Sequence, residues 1–174
     1  MSFFPNKYIP KKDIPALIFI TAAGTLSHFL YEWSGNAAAA LFCPVNESIW
    51  EHLKLLFFPF LFYSLWSYIT ARRRPFAAPY LYFRLLGVLC GMLTIIMLFY
   101  TYTGIIGRHF LPLDILIFII GNITALRTVS YFMKRVSRIP SIAVSYTLWL
   151  LLILCFFIFT CFPPNIPLFF SYPQ

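Results

Sequence analysis

The sequence predicts an all-α integral membrane bundle of five transmembrane helices, and three observations predict it. Of 174 residues, 61% are hydrophobic and 10% charged, whereas soluble domains carry about a quarter charged residues. The mean hydropathy is +0.82. The apolar residues gather into five runs bounded by charge, proline or glycine, each near the roughly 20 residues that cross about 30 Å of hydrocarbon. A single transmembrane domain over 1–174 is therefore expected, with its chemistry in or beside a bilayer.

The first span, 14–33, follows Lys7, Lys11 and Lys12 and precedes "NAAAALFC". That framing imitates a signal peptide, but the apolar stretch is long and Phe42 is too bulky to precede a lipoprotein-type cleavage at Cys43, so a retained helix is expected. The second, 47–70, begins within "NESIWEHLK" and runs through "LLFFPFLFYSLW". The third, 79–103, carries Gly87 and Gly91 in GxxxG spacing, expected to pack helices closely within the bundle. The fourth, 112–133, follows "GRHFLP", and the fifth, 141–162, ends before "PPNIP".

Orientation follows from basic residues in the connections. With the N-terminus cytoplasmic, Lys7, Lys11, Lys12, Arg72, Arg73, Arg74, Lys134, Arg135 and Arg138 lie inside and Arg108 outside. The positive-inside rule thus gives N-in, C-out. Arg84 and Arg127, near inner ends, are expected to snorkel to the headgroups. Trp33, Trp50, Tyr100 and Tyr102 form an outer aromatic belt, with Tyr68, Tyr80 and Tyr131 at the inner one. The net charge of +8 is spent on topology rather than on nucleic acid; the expected partners are membrane lipids. Cys43, Cys90, Cys155 and Cys161 have no zinc-site spacing, and a Cys43–Cys161 disulfide stays open.

Of five acidic residues and three histidines, all but Asp13 fall at the outer side. His28 and Glu32 close span one, Glu47, Glu51 and His52 open span two, and His109 and Asp114 flank the start of span four. Thr21, Thr25, His28 and Glu32 share one helical stripe. On a helix starting at 47, Glu47, Glu51 and Lys54 share a face, with His52 about 100° round. An outward polar pocket lined by spans one, two and four satisfies these groups.

Local structure explains part of the pattern. Asn46 or Ser48 can cap the second span, Ser48 with Glu51 matches S-x-x-E, and acids favour a helix N-terminus. Lys54 would lie about 10 Å along the helix, where a charge costs at least about 2.5 kcal/mol, so a pair with Glu51 or Glu47 is expected. His28 and Glu32 equally fit an interfacial hydrogen bond, and His109 an exposed loop. Asp114 precedes "ILIFII", where an unpaired carboxylate is expensive. The tripeptides at Asn46 and Asn122 read as fortuitous glycosylation matches.

The strings "HFLYEWSGN", "PVNESIWEHLKLLFFPF", "GRHFLPLDILIF" and "PPNIPLF" resemble a family of small bacterial multi-pass membrane proteins of uncharacterised function. The likeness covers nearly the whole chain, and "PVNESIWEH" is its most specific part. It implies a bacterial cytoplasmic membrane and an outer polar site, and it implies no reaction. The family pattern commonly places a histidine where this chain has Asn165, beside the same pocket.

Three functions stay open at this level. A membrane-embedded hydrolase or transferase acting on a lipid-type substrate would use His28, Glu47, Glu51, His52 and Asp114 as catalytic groups, with Glu32, Asn46, Lys54, His109 and Asn165 in support. His28, Glu51 and His52 would suit a divalent metal such as zinc. A small transporter or ion-binding subunit could use the same groups. A structural or assembly protein would use them only to clamp helix ends.

Overall fold

The computed structural model describes residues 13–70, 77–135 and 141–171, with the side chains of 77–79 left aside. Lys7, Lys11, Lys12, Arg72, Arg73, Arg74 and Arg138, which carry most of the orientation argument, lie outside the described residues. The elements are α1 (Ile14–Ser34), α2 (Ala37–Phe42), α3 (Ile49–Thr70), α4 (Ala77–Ile106), α5 (Leu111–Arg135), α6 (Ile142–Cys161) and a 3-10 turn (Pro167–Phe169). Among the described residues there is one isolated β-bridge, joining Ser48 to Ser171. Five helices, α1, α3, α4, α5 and α6, are long and apolar enough to cross a membrane, the build of a multi-pass membrane protein.

Helix α2 lies in the connection that follows α1. Its alanine run favours helix, and the Asn36 side chain caps it by accepting from the Ala38 N–H. Gly35 supplies the left-handed turn, φ 58°, that ends α1.

Helix α3 is the centre of the bundle. Leu53, Leu56, Phe57 and Phe60 are fully buried, as expected of a helix apolar all round. Helix α1 packs on α3, α3 and α6 lie against α4, and α4 with α5 makes the most extensive pair. Apolar burial drives little association inside a lipid bilayer, so close packing must hold these helices together. Two glycines permit it between α4 and α5. A Cβ on Gly87 would fall 2.7 Å from the Ala125 carbonyl oxygen, and one on Gly91 2.7 Å from that of Gly121. The GxxxG therefore acts within the bundle. Trp149 of α6 donates its indole N–H to the Leu81 carbonyl of α4 at 3.1 Å, joining two helices by a side-chain hydrogen bond.

The contact between α1 and α3 has a different origin. Pro59 lies inside α3 and has no N–H, so the carbonyl of Leu55, four residues back, loses its helical donor. Gly24 of α1 covers that carbonyl so closely that a Cβ there would stand 2.4 Å from the oxygen. A freed carbonyl is tolerated in an apolar setting when a neighbouring helix covers it.

Candidate polar site at one end of the bundle

The Gly24–Leu55 contact lets α1 and α3 approach one turn away from His28 and His52. His28 is four residues beyond Gly24 and His52 three residues before Leu55, so both rings stand at the same level. Their Nε2 atoms are 3.2 Å apart. The His52 Nδ1 lies 2.9 Å from the Ser48 carbonyl oxygen. A carbonyl only accepts, so Nδ1 carries the hydrogen and a neutral His52 turns the lone pair of Nε2 toward His28. Glu47 Oε2 faces the same Nε2 at 3.4 Å.

A lone pair facing a carboxylate is repulsive unless a proton or a cation lies between them. Zinc bonds of about 2.0–2.1 Å at a tetrahedral angle place donor atoms about 3.3–3.4 Å apart. The 3.2 and 3.4 Å spacings lie close to this, and all three donor atoms lie within 4.8 Å of one another. Hydrogen bonding of the other ring nitrogen fixes the His52 tautomer, as ligating imidazoles require. The buried Nδ1 of His28 has no partner, and this ring is positioned by Phe29, 5.1 Å away between centroids. The His52 and Glu47 side chains are 30% and 42% exposed, so the cluster reaches the surface of the protein. Glu32 is exposed one turn beyond His28.

Glu47, rather than Glu51, is the carboxylate brought to the two histidines. The reason is the helix start. Ser48 caps α3, its Oγ accepting from the Glu51 N–H at 3.3 Å, and Asn46 Oδ1 accepts from the Ser48 N–H at 2.9 Å. Glu47 therefore lies in the preceding turn, where helical spacing does not apply, and is free to bend toward His52.

Glu51 points elsewhere and is 2% exposed. Its Oε2 accepts from Lys54 Nζ at 2.6 Å and from the Val45 N–H at 3.0 Å. Its Oε1 accepts from the Thr160 hydroxyl of α6 at 3.1 Å. Lys54 spends its other two donors on the carbonyls of Ala40 at 2.8 Å and Cys43 at 3.3 Å. The pair ties α2, α3, α6 and the intervening turn together; Lys54 has no donor left and Glu51 is held by three bonds away from the histidines. Burial pushes the Cys43 thiol above its ordinary value, against the opposing pull of nearby Lys54. Cys43 and Cys161 are both free.

Asp114 belongs to a separate cluster. It accepts from the Tyr102 hydroxyl of α4 and lies 3.2 Å from His109 Nδ1, while the Phe110 N–H donates to the Tyr102 oxygen at 3.2 Å. These bonds close the α4–α5 connection, where Gly107 has φ 81°. Asn122 is buried and donates to Thr21 of α1 at 3.1 Å, so the acceptor side chain of this tripeptide lies inside the protein. Of the Thr21 stripe, Thr25 and Glu32 are exposed, leaving Thr21 and His28 to face neighbouring helices. Asn165 is exposed on the tail that returns to Ser48, where Phe169 packs on Trp50 at 5.0 Å. Tyr102, Thr160 and Gly24 complete these arrangements without having been expected in them.

The sequence profile of the family of unknown function DUF6512 matches residues 3–172. No curated protein and no solved structure matches the chain.

Proposed function

We propose, for a chain that belongs to the DUF6512 family of unknown function, that His28, His52 and Glu47 hold a divalent metal such as zinc in a membrane-embedded hydrolase acting on a lipid-type substrate. One observation carries this reading: two imidazole nitrogens 3.2 Å apart with a carboxylate oxygen 3.4 Å from one of them. Two histidines and a glutamate are a ligand set of catalytic zinc sites that keep an open position. A metal bound there would supply Lewis acidity and an activated water.

The chain's own residues do the rest. Ser48 fixes the His52 tautomer, Glu47 offsets the positive charge, and Glu32, one turn beyond His28, accepts a proton. Phe29, Leu30 and Trp33 of α1 are exposed beside the cluster. An acyl chain can lie along that face while its ester or phosphate linkage reaches the metal. A transport role would need a polar route through the bundle. The face between α1 and α3 is instead closed by Gly24 against Leu55 and by fully buried Leu53, Leu56 and Phe57.

The test is turnover of phospholipids and lipid esters by the purified chain in lipid nanodiscs, with products identified by mass spectrometry. Headgroup or fatty-acid release that stops with a chelator, returns with zinc and is absent in His52→Ala is the expected result. Stoichiometric metal without turnover on any ester or phosphodiester lipid would instead assign an ion-binding role.

A further inference from the structure

At the opposite end of the bundle, the start of α1, the end of α3, the start of α4 and the end of α5 form a half-open cavity of about 200 Å³. Asp13, Tyr63, Ser67, Tyr80, Arg84 and Ser130 line it. Arg84 does not snorkel: it is 5% exposed. Its guanidinium carbon lies 4.7 Å from the ring centre of Phe60, 5.2 Å from that of Tyr63 and 5.4 Å from that of Tyr80. Its Nε has no hydrogen-bond partner, and among the described residues no carboxylate pairs with it.

Aromatic faces attract a guanidinium but satisfy none of its N–H donors. A buried charge without an ion partner is expensive. The cavity also holds a carboxylate: Asp13, whose Oδ2 accepts from the Ser130 hydroxyl at 2.6 Å. A simple anion would answer Arg84 and be repelled by Asp13. A group bearing both charges answers both.

We propose that this cavity binds a phosphate ester carrying an ammonium group, the headgroup chemistry of an aminophospholipid. The Arg84 fork takes the phosphate oxygens, for which a guanidinium is well matched. The hydroxyls of Tyr63, Tyr80 and Ser67 are available as further donors, and Asp13 takes the ammonium. The site is separate from the histidine cluster and does not depend on the metal.

The experiment is native mass spectrometry of the full chain released from nanodiscs of equal phosphatidylethanolamine and phosphatidylglycerol content. Wild type should retain phosphatidylethanolamine in about tenfold preference. Asp13→Asn, which keeps an oxygen for Ser130, should bind lipid but lose the preference. Arg84→Gln should lose retention of both lipids. Millimolar free phosphoethanolamine should displace the lipid if the site also takes its headgroup from water; failure to displace would assign the ligand to the membrane alone. Equal retention of both lipids by wild type, or a preference unchanged in Asp13→Asn, would overturn the proposal even if Arg84→Gln failed to fold.

Discussion

Gly24 lies against the backbone of Leu55, one helical turn from the point where His28 meets His52. The contact exists because Pro59 leaves the Leu55 carbonyl without a helical donor and glycine alone can cover it so closely. It sets the distance between α1 and α3, and through it the 3.2 Å between the two imidazoles.

Gly24→Ala should therefore damage both stability and metal binding. Its Cβ would fall 2.4 Å from the Leu55 oxygen and 2.7 Å from Phe118 Cζ, and overpacking of this kind costs about 1–3 kcal/mol. Thermal unfolding in detergent should show the loss, with reduced zinc content in the folded fraction. Gly104→Ala is the control, since nothing lies within 4 Å of its Cβ position; it should be neutral or stabilise α4 by up to about 1 kcal/mol.

Lys54→Met should be among the most damaging single changes. It leaves the buried Glu51 carboxylate without its cation, a loss of about 3–5 kcal/mol when one partner of a buried pair is removed. Adding Glu51→Gln to Lys54→Met should recover part of the stability, and a double-mutant cycle in chemical denaturation measures how much. Zinc per folded molecule should be unchanged in the double variant. Loss of the metal there would return Glu51 to the ligand set.

Tyr102→Phe should cost about 1–3 kcal/mol, because it leaves the Phe110 N–H and the Asp114 carboxylate each short of a partner. The measurement is again unfolding in detergent, paired with metal analysis. Stability should fall while zinc content holds, which separates the α4–α5 cluster from the histidine site.

Much of this arrangement can be read from the chain, and the failures have physical causes. Apolar runs of about 20 residues leave few alternatives to membrane helices, and rare charges on an apolar chain draw attention to His28, Glu47 and His52 at once. Which carboxylate faces the histidines is not legible, because periodicity counted from residue 47 puts Glu47 and Glu51 on one face, whereas the helix begins after Ser48. Gly24 and Pro59 were legible signals in principle: a glycine one turn before a histidine, and a proline that frees a named carbonyl. Tyr102 with Asp114, Thr160 with Glu51, and the rings around Arg84 were not legible. Apart from Tyr80, four residues before Arg84 on α4, each joins different helices, and no periodicity within one helix records which neighbour it meets. Arg84 stands near a helix end, where snorkelling is ordinary, and only the aromatic residues of α3 reverse that.

In the proposed site, Glu47 completes the metal ligands with His28 and His52. Elemental analysis of the full chain, purified in detergent without chelators and supplied with zinc, tests it most directly when wild type is compared with Glu47→Gln and Glu32→Gln. Near-stoichiometric metal is expected in wild type and in Glu32→Gln, and its loss in a folded Glu47→Gln. Folded wild type without metal, or metal fully retained by Glu47→Gln, would contradict it.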